Sequence, residues 1–134
     1  MDIIRKVYRM IAERRLTLFS HIYIEERALG YPFTDKIIQR FPNAQRIIIH
    51  HYKDVFNRPR QNFILQKQSP KLILAVKEEP FLYKGPEVCE NFGYENFYYA
   101  STLLNCIYNC DYCYLQGLYS SANLVAFVNM DDFF

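Results

Sequence analysis

Three cysteines stand close together late in the chain, in Cys106-Ile107-Tyr108-Asn109-Cys110-Asp111-Tyr112-Cys113, followed by Tyr114-Leu115-Gln116. The C-x3-C-x2-C spacing can bring three thiolates onto one side of a tight loop. Three thiolates are one short of a closed four-thiolate site. The open coordination position is what a metal centre needs for chemistry rather than for structure alone. A fourth cysteine, Cys89, lies upstream. Two readings of the residues stay open: a three-thiolate centre with one vacancy, and a structural zinc site with Cys89 as fourth ligand. The x3-then-x2 spacing is an awkward pairing for a zinc ribbon. Outside such a site, Cys89 reads as an unliganded structural thiol.

The elements that must position this loop belong to a globular chain. Its 134 residues suit one domain with a real core. With 51% apolar residues, charges of both signs and sparse Gly and Pro, the composition is not that of a disordered chain. Tyr and Phe are abundant, at 12 and 11, and Trp is absent. That aromatic content suits strands and a core, or a surface that stacks on bases or a cofactor. A net charge of +2 is too small to imply a nucleic-acid partner by itself. No apolar run approaches the ~20 residues of a membrane span, and the charged start is unlike a secretory leader. The expected compartment is the cytoplasm, where clustered cysteines more often mean metal or redox chemistry than disulfides.

Along the chain, Asp2 to Arg15 has the apolar spacing of an amphipathic helix, through Ile3, Val7, Met10 and Ile11. His21 to Glu25 reads as a strand and Gly30-Tyr31-Pro32 as a turn. Thr34 is the expected N-cap of a helix over Asp35 to Phe41, stopped by Pro42. Arg46 to His50 is a second strand, and a strand–helix–strand unit predicts parallel pairing. Adjacent His50 and His51 would point to opposite faces, so they are not a metal pair. From about residue 51 to 69 the periodicity fades and Lys53, Arg58, Arg60 and Lys67 gather. This stretch reads as a solvated connection, or as a loop that grips phosphates. Leu72 to Val76 is a buried central strand. Phe97 to Thr102 is a strand that delivers the chain into the cysteine loop. Leu124 to Val128 is another, and Asn129 is the expected cap of a helix with Asp131 and Asp132 in its first turn. A helix that has barely begun at Phe134 predicts that the chain is an N-terminal piece of a longer protein.

C-x3-C-x2-C with an aromatic residue before the last cysteine resembles the cluster motif of the radical S-adenosylmethionine superfamily. Cys110-Asp111-Tyr112-Cys113-Tyr114-Leu115-Gln116 further resembles the cluster loop of the spore photoproduct lyase family. Ile22-Tyr23-Ile24-Glu25-Glu26-Arg27-Ala28-Leu29-Gly30-Tyr31-Pro32 is similar to that family's N-terminal strand-and-turn segment. Leu124 to Asp132 is similar to its strand and helix start after the cluster. The resemblance implies an α/β fold: an N-terminal strand–helix–strand segment (residues 1–95), then the start of a partial, truncated (β/α)6 barrel (residues 96–134).

The resemblance also implies a [4Fe–4S] cluster held by Cys106, Cys110 and Cys113, whose fourth iron binds S-adenosylmethionine. An electron donor such as flavodoxin or ferredoxin would reduce the cluster. The 5′-deoxyadenosyl radical would remove a hydrogen from C6 of a methylene-bridged thymine dimer in DNA. The dimer would then fragment to two thymines. Tyr112 matches the aromatic position near the adenine, and Tyr114 the tyrosine that relays a hydrogen atom. The family's hydrogen-donor cysteine lies downstream of the loop, beyond Phe134, so these 134 residues alone are expected to lack repair activity. The alternatives are a family member with another substrate, or a non-catalytic zinc-bound nucleic-acid-binding module.

Overall fold

Leu72-Ile73-Leu74-Ala75 is the strand around which the chain assembles, and every one of its residues is buried. A strand buried on both faces needs apolar side chains at consecutive positions, which explains the uninterrupted run. In the computed structural model, which describes residues 4–6, 9, 18–113 and 116–133, this strand (β3) is the middle of a five-stranded sheet. The order is β2-β1-β3-β7-β6, with β1 at His21–Glu25, β2 at Gln45–Ile49, β6 at Leu103–Leu104 and β7 at Leu124–Phe127. The pairings β2–β1, β1–β3 and β3–β7 are parallel, and only β6 runs antiparallel, on the outer side of β7. The chain is therefore a mixed α/β structure on a mostly parallel sheet, and strands from both sides of residue 95 belong to that one sheet. A two-stranded ribbon, β4 (Tyr83–Lys84) with β5 (Tyr98–Tyr99), stands apart, its Tyr83 and Tyr99 rings stacked at 5.3 Å.

The core lies on both faces, and β3 alternates between them. Leu72 and Leu74 join Ile22, Ile24, Ala126 and Val128 on one face. Helix α1 (Pro32–Arg40) covers that face with Ile37 and Ile38. Ile73 and Ala75 join Val125 and Phe127 on the other, against Val55 and Phe56. Tyr52 meets Phe127 edge-on at 5.7 Å there, and Phe133 is buried in the same layer.

The structure moves several predicted boundaries. Helix α1 begins at Pro32, whose fixed φ suits a first helical position, and not after Thr34. Thr34 is fully buried and its Oγ1 donates to the Ala28 carbonyl at 2.6 Å, so the hydroxyl ties α1 to the preceding 3-10 turn (Glu26–Gly30) instead of capping. The stretch 51–69 is not a bare loop. It holds two short helices, α2 (Lys53–Phe56) and α3 (Phe63–Gln68), because Val55 and Phe56 are needed to cover the second face. The single strand expected over Phe97 to Thr102 is split. Tyr98 and Tyr99 pair with the ribbon, and the sheet instead takes Leu103 and Leu104. After β7 comes a 3-10 turn, Met130–Phe133. Asn129 turns its side chain onto Lys77, accepting from the Lys77 N–H at 2.8 Å and donating to the Lys77 carbonyl at 3.0 Å. Of the expected N-terminal helix, residues 4–6 and 9 are helical and the others lie outside the described residues. Among the described residues, no helix is long and apolar enough to cross a membrane.

Candidate metal centre

The antiparallel turn of β6 decides where the cysteine loop goes. Leu104 pairs with Val125, so the chain leaves β6 at the end where β7 begins, toward the amino ends of β3 and β7. Asn105 makes the turn with φ +68°, a left-handed conformation that a short amide side chain tolerates. Its Nδ2 donates to the carbonyls of Ser121 and Asn123, at 2.7 and 2.8 Å. One side chain thus ties the entry of the loop to its exit. Replacing Asn105 with Ala is expected to cost about 2 kcal/mol, from the positive φ and the lost hydrogen bonds. Asn105→Gly should recover only the backbone share. Urea unfolding of both variants checks this, and a wild-type midpoint for the Ala variant would refute it.

Within the loop the backbone folds tightly on itself. The Cys113 N–H donates to the Cys110 carbonyl at 3.1 Å, and the Gln116 N–H to the Cys113 carbonyl at 3.2 Å. Gln116 Nε2 donates to the same Cys110 carbonyl at 2.7 Å. These turns put Cys106, Cys110 and Cys113 on the wall of one cavity of about 330 Å³. All four cysteines of the chain are free thiols; Cys106 and Cys110 are exposed and Cys113 half-buried. Among the described residues no three His, Cys, Asp or Glu side chains stand in a group that could hold a metal ion. The thiols share a hollow without being drawn together as ligands. Their chemistry nevertheless suits an iron–sulfur centre. Among the described residues, the cavity wall carries the three sulfur donors, apolar groups such as Phe63, Leu104 and Leu118, and uncharged polar groups such as Ser101 and Gln116, with Lys67 its one charged side chain.

The other candidates separate clearly. Cys89 is exposed and lines a different hollow, with Lys84 and Phe97, so it does not join the trio as a fourth ligand. Tyr112 is 92% exposed and is not part of the cavity wall, whereas Tyr108 is. Tyr114 lies outside the described residues. His50 is solvent-facing, 3.8 Å from Glu26, while His51 stacks on Tyr52 with ring centres 4.9 Å apart.

No family model and no curated protein matches this sequence. Among solved structures, the chain is similar to "Spore photoproduct lyase complexed with dinucleoside spore photoproduct", with a TM-score of 0.64 and 22% identity over 86% of this chain. The likeness is one of fold. The chain spans about a third of that protein's length, 33%.

Two features of the structure, one at the site and one away from it, gave no sequence signal. The first is α3, which lay inside the stretch expected to be a solvated connection. Its Gln66 accepts through Oε1 from the Ala122 N–H at 2.9 Å and from Ser121 Oγ at 3.3 Å. Its Lys67 donates to the Cys106 carbonyl at 2.5 Å. Of the four gathered cations, Lys67 is thus turned inward, while Lys53, Arg58 and Arg60 are exposed. The second is Glu25, wholly buried at the opposite, carboxyl end of the sheet. It accepts from the N–H groups of Tyr52 (2.8 Å) and Val76 (3.0 Å) and from Arg27 (3.2 Å). Arg27 also reaches Glu78 at 2.7 Å, and this hydrogen bond holds the exposed Glu78 carboxyl below the usual carboxylate range. A glutamate at a strand end is ordinarily a surface residue, so only the fold marks it.

Proposed function

We propose that this chain is the cluster-bearing part of a radical S-adenosylmethionine repair lyase. Its substrate would be a methylene-bridged thymine dimer in DNA. The observation that carries the reading is the opening of three free thiols, spaced C-x3-C-x2-C, onto one cavity. The fold likeness to a spore photoproduct lyase supports it. In this reading residues 1–95 are the N-terminal α/β segment and residues 96–134 begin a partial (β/α)6 barrel. Cys106, Cys110 and Cys113 would hold a [4Fe–4S] cluster. When bound, the cluster supplies the single electron that cleaves S-adenosylmethionine to a 5′-deoxyadenosyl radical.

The chain's own residues hold and shape that place. Asn105 and Gln116 set the loop backbone, and Phe63, Leu104 and Leu118 keep the cavity wall apolar. Tyr112, with its ring exposed, is proposed as a contact for S-adenosylmethionine, and Tyr114 as a hydrogen-atom relay. The electron would come from a cytoplasmic flavodoxin or ferredoxin. Anaerobic reconstitution with iron and sulfide tests the reading. The expected product carries about four irons per chain and a visible charge-transfer band. One tightly held zinc and no colour would refute it.

A further inference from the structure

Lys67 is placed where a surface lysine has no reason to be. It is half-buried, lines the cavity of the three thiols, and gives a hydrogen bond to the carbonyl of the first of them, Cys106. The two residues lie 39 positions apart in the chain, so the contact reports the fold and not local geometry.

The helix that carries Lys67 is itself fastened. Asn62 caps α3, its Oδ1 accepting from the Leu65 N–H at 3.1 Å. Gln66 Nε2 donates to Gln61 Oε1 at 2.7 Å, and Gln61 Nε2 donates to the carbonyls of Phe56 and Arg58, each at 2.8 Å. Phe56 is a core residue. Consecutive residues of this helix therefore grip the loop's exit, through Gln66, and its entry, through Lys67. A side chain of high rotamer entropy is ordered here against a single carbonyl, which is costly for a lone surface contact.

We propose that Lys67 is a positioning and charge-compensating residue for the three-thiol loop. Its hydrogen bond fixes the Cys106 backbone. Its ammonium stands beside a cavity that becomes anionic when three thiolates close on a metal. This rests on the reading of the loop as a cluster site. A positive charge next to an iron–sulfur centre favours the more negative, reduced state, and net charge is one of the levers that set such potentials. Groups that orient ligands from behind also govern how firmly the metal is held.

The test uses the 134-residue chain and the variants Lys67→Met, Lys67→Gln and Lys67→Arg. The metal-free chains are compared first, by amide hydrogen exchange over residues 106–113. Lys67→Met is expected to exchange faster there, with wild-type exchange in β3. Equal exchange in the loop overturns the positioning role, whether or not the chain takes up iron. The reconstituted chains are then compared by iron retained against a chelator and by reduction potential. Lys67→Met should hold iron about tenfold less firmly and titrate at a more negative potential. Lys67→Gln, which keeps a donor without the charge, should regain retention but not potential. Lys67→Arg should regain both. A Lys67→Met potential equal to wild type overturns the charge-compensating role, whatever its retention. A wild-type chain that takes up no iron would refute the proposed function while leaving the exchange result to judge Lys67.

Discussion

Cys113→Ala is expected to abolish the visible charge-transfer band of the reconstituted chain, while Cys89→Ala leaves band and iron content unchanged. The contrast follows from placement. Cys113 is the half-buried member of the trio, and its backbone is held by the N–H bond to the Cys110 carbonyl and by the bond its own carbonyl takes from Gln116. Losing it leaves two exposed thiols, Cys106 and Cys110, which cannot hold a cubane between them. Cys89 lies in a different hollow beside Lys84 and Phe97, with no part in the trio's wall. Iron analysis and absorbance after gel filtration would check both variants. A structural zinc site using all four cysteines predicts the opposite for Cys89, so loss of metal in Cys89→Ala would refute the three-thiol reading.

Glu25→Ala is expected to destabilise the chain by about 3 kcal/mol or more, because two backbone N–H groups lose their acceptor in a buried place. The carboxylate is 0% exposed, and it joins the carboxyl end of β1 to Tyr52 and Val76, which lead into α2 and out of β3. For a chain of this size the loss corresponds to a fall in melting temperature of about 10 °C. Glu25→Gln keeps one carbonyl oxygen and should fall between. Thermal unfolding followed by circular dichroism reads both, and an Ala variant that melts within about 2 °C of wild type would contradict the assignment. The neighbouring Arg27–Glu78 pair adds a pH dependence of definite sign. Its hydrogen bond lowers the folded Glu78 carboxyl below its usual value, so that contribution is present above the ordinary carboxylate range. It is lost as pH falls through the folded value. Both partners are substantially exposed, so the effect is small beside that of Glu25.

Much of this was legible in the residues. The uninterrupted Leu72 to Val76 run announced a strand buried on both faces, and it is the centre of the sheet. Ile22 and Ile24 on β1, with a helix between β1 and β2, announced parallel pairing, which the register His21↔Gln45 to Glu25↔Ile49 bears out. Such signals survive in sequence because burial acts on each side chain locally and repeats at the period of the element. The C-x3-C-x2-C motif likewise announced three thiols at short spacing, and the structure sets them on the wall of one cavity.

The sequence by itself determined the close spacing of the three cysteines, the central strand and the strand–helix–strand start, because each rests on contacts or spacings a few residues long. Tertiary structure alone decided that β6 turns back against β7 and carries the cysteine loop toward the amino ends of the strands. It alone decided that α3 lies behind the loop, with Gln66 and Lys67 on its exit and entry, and that Cys89 stands elsewhere. These are polar contacts between segments 16 to 56 residues apart. A hydrogen bond over such a separation leaves no periodic mark in composition, since one Gln, Lys or Asn reads as an ordinary surface residue until the fold brings its partner within 3 Å.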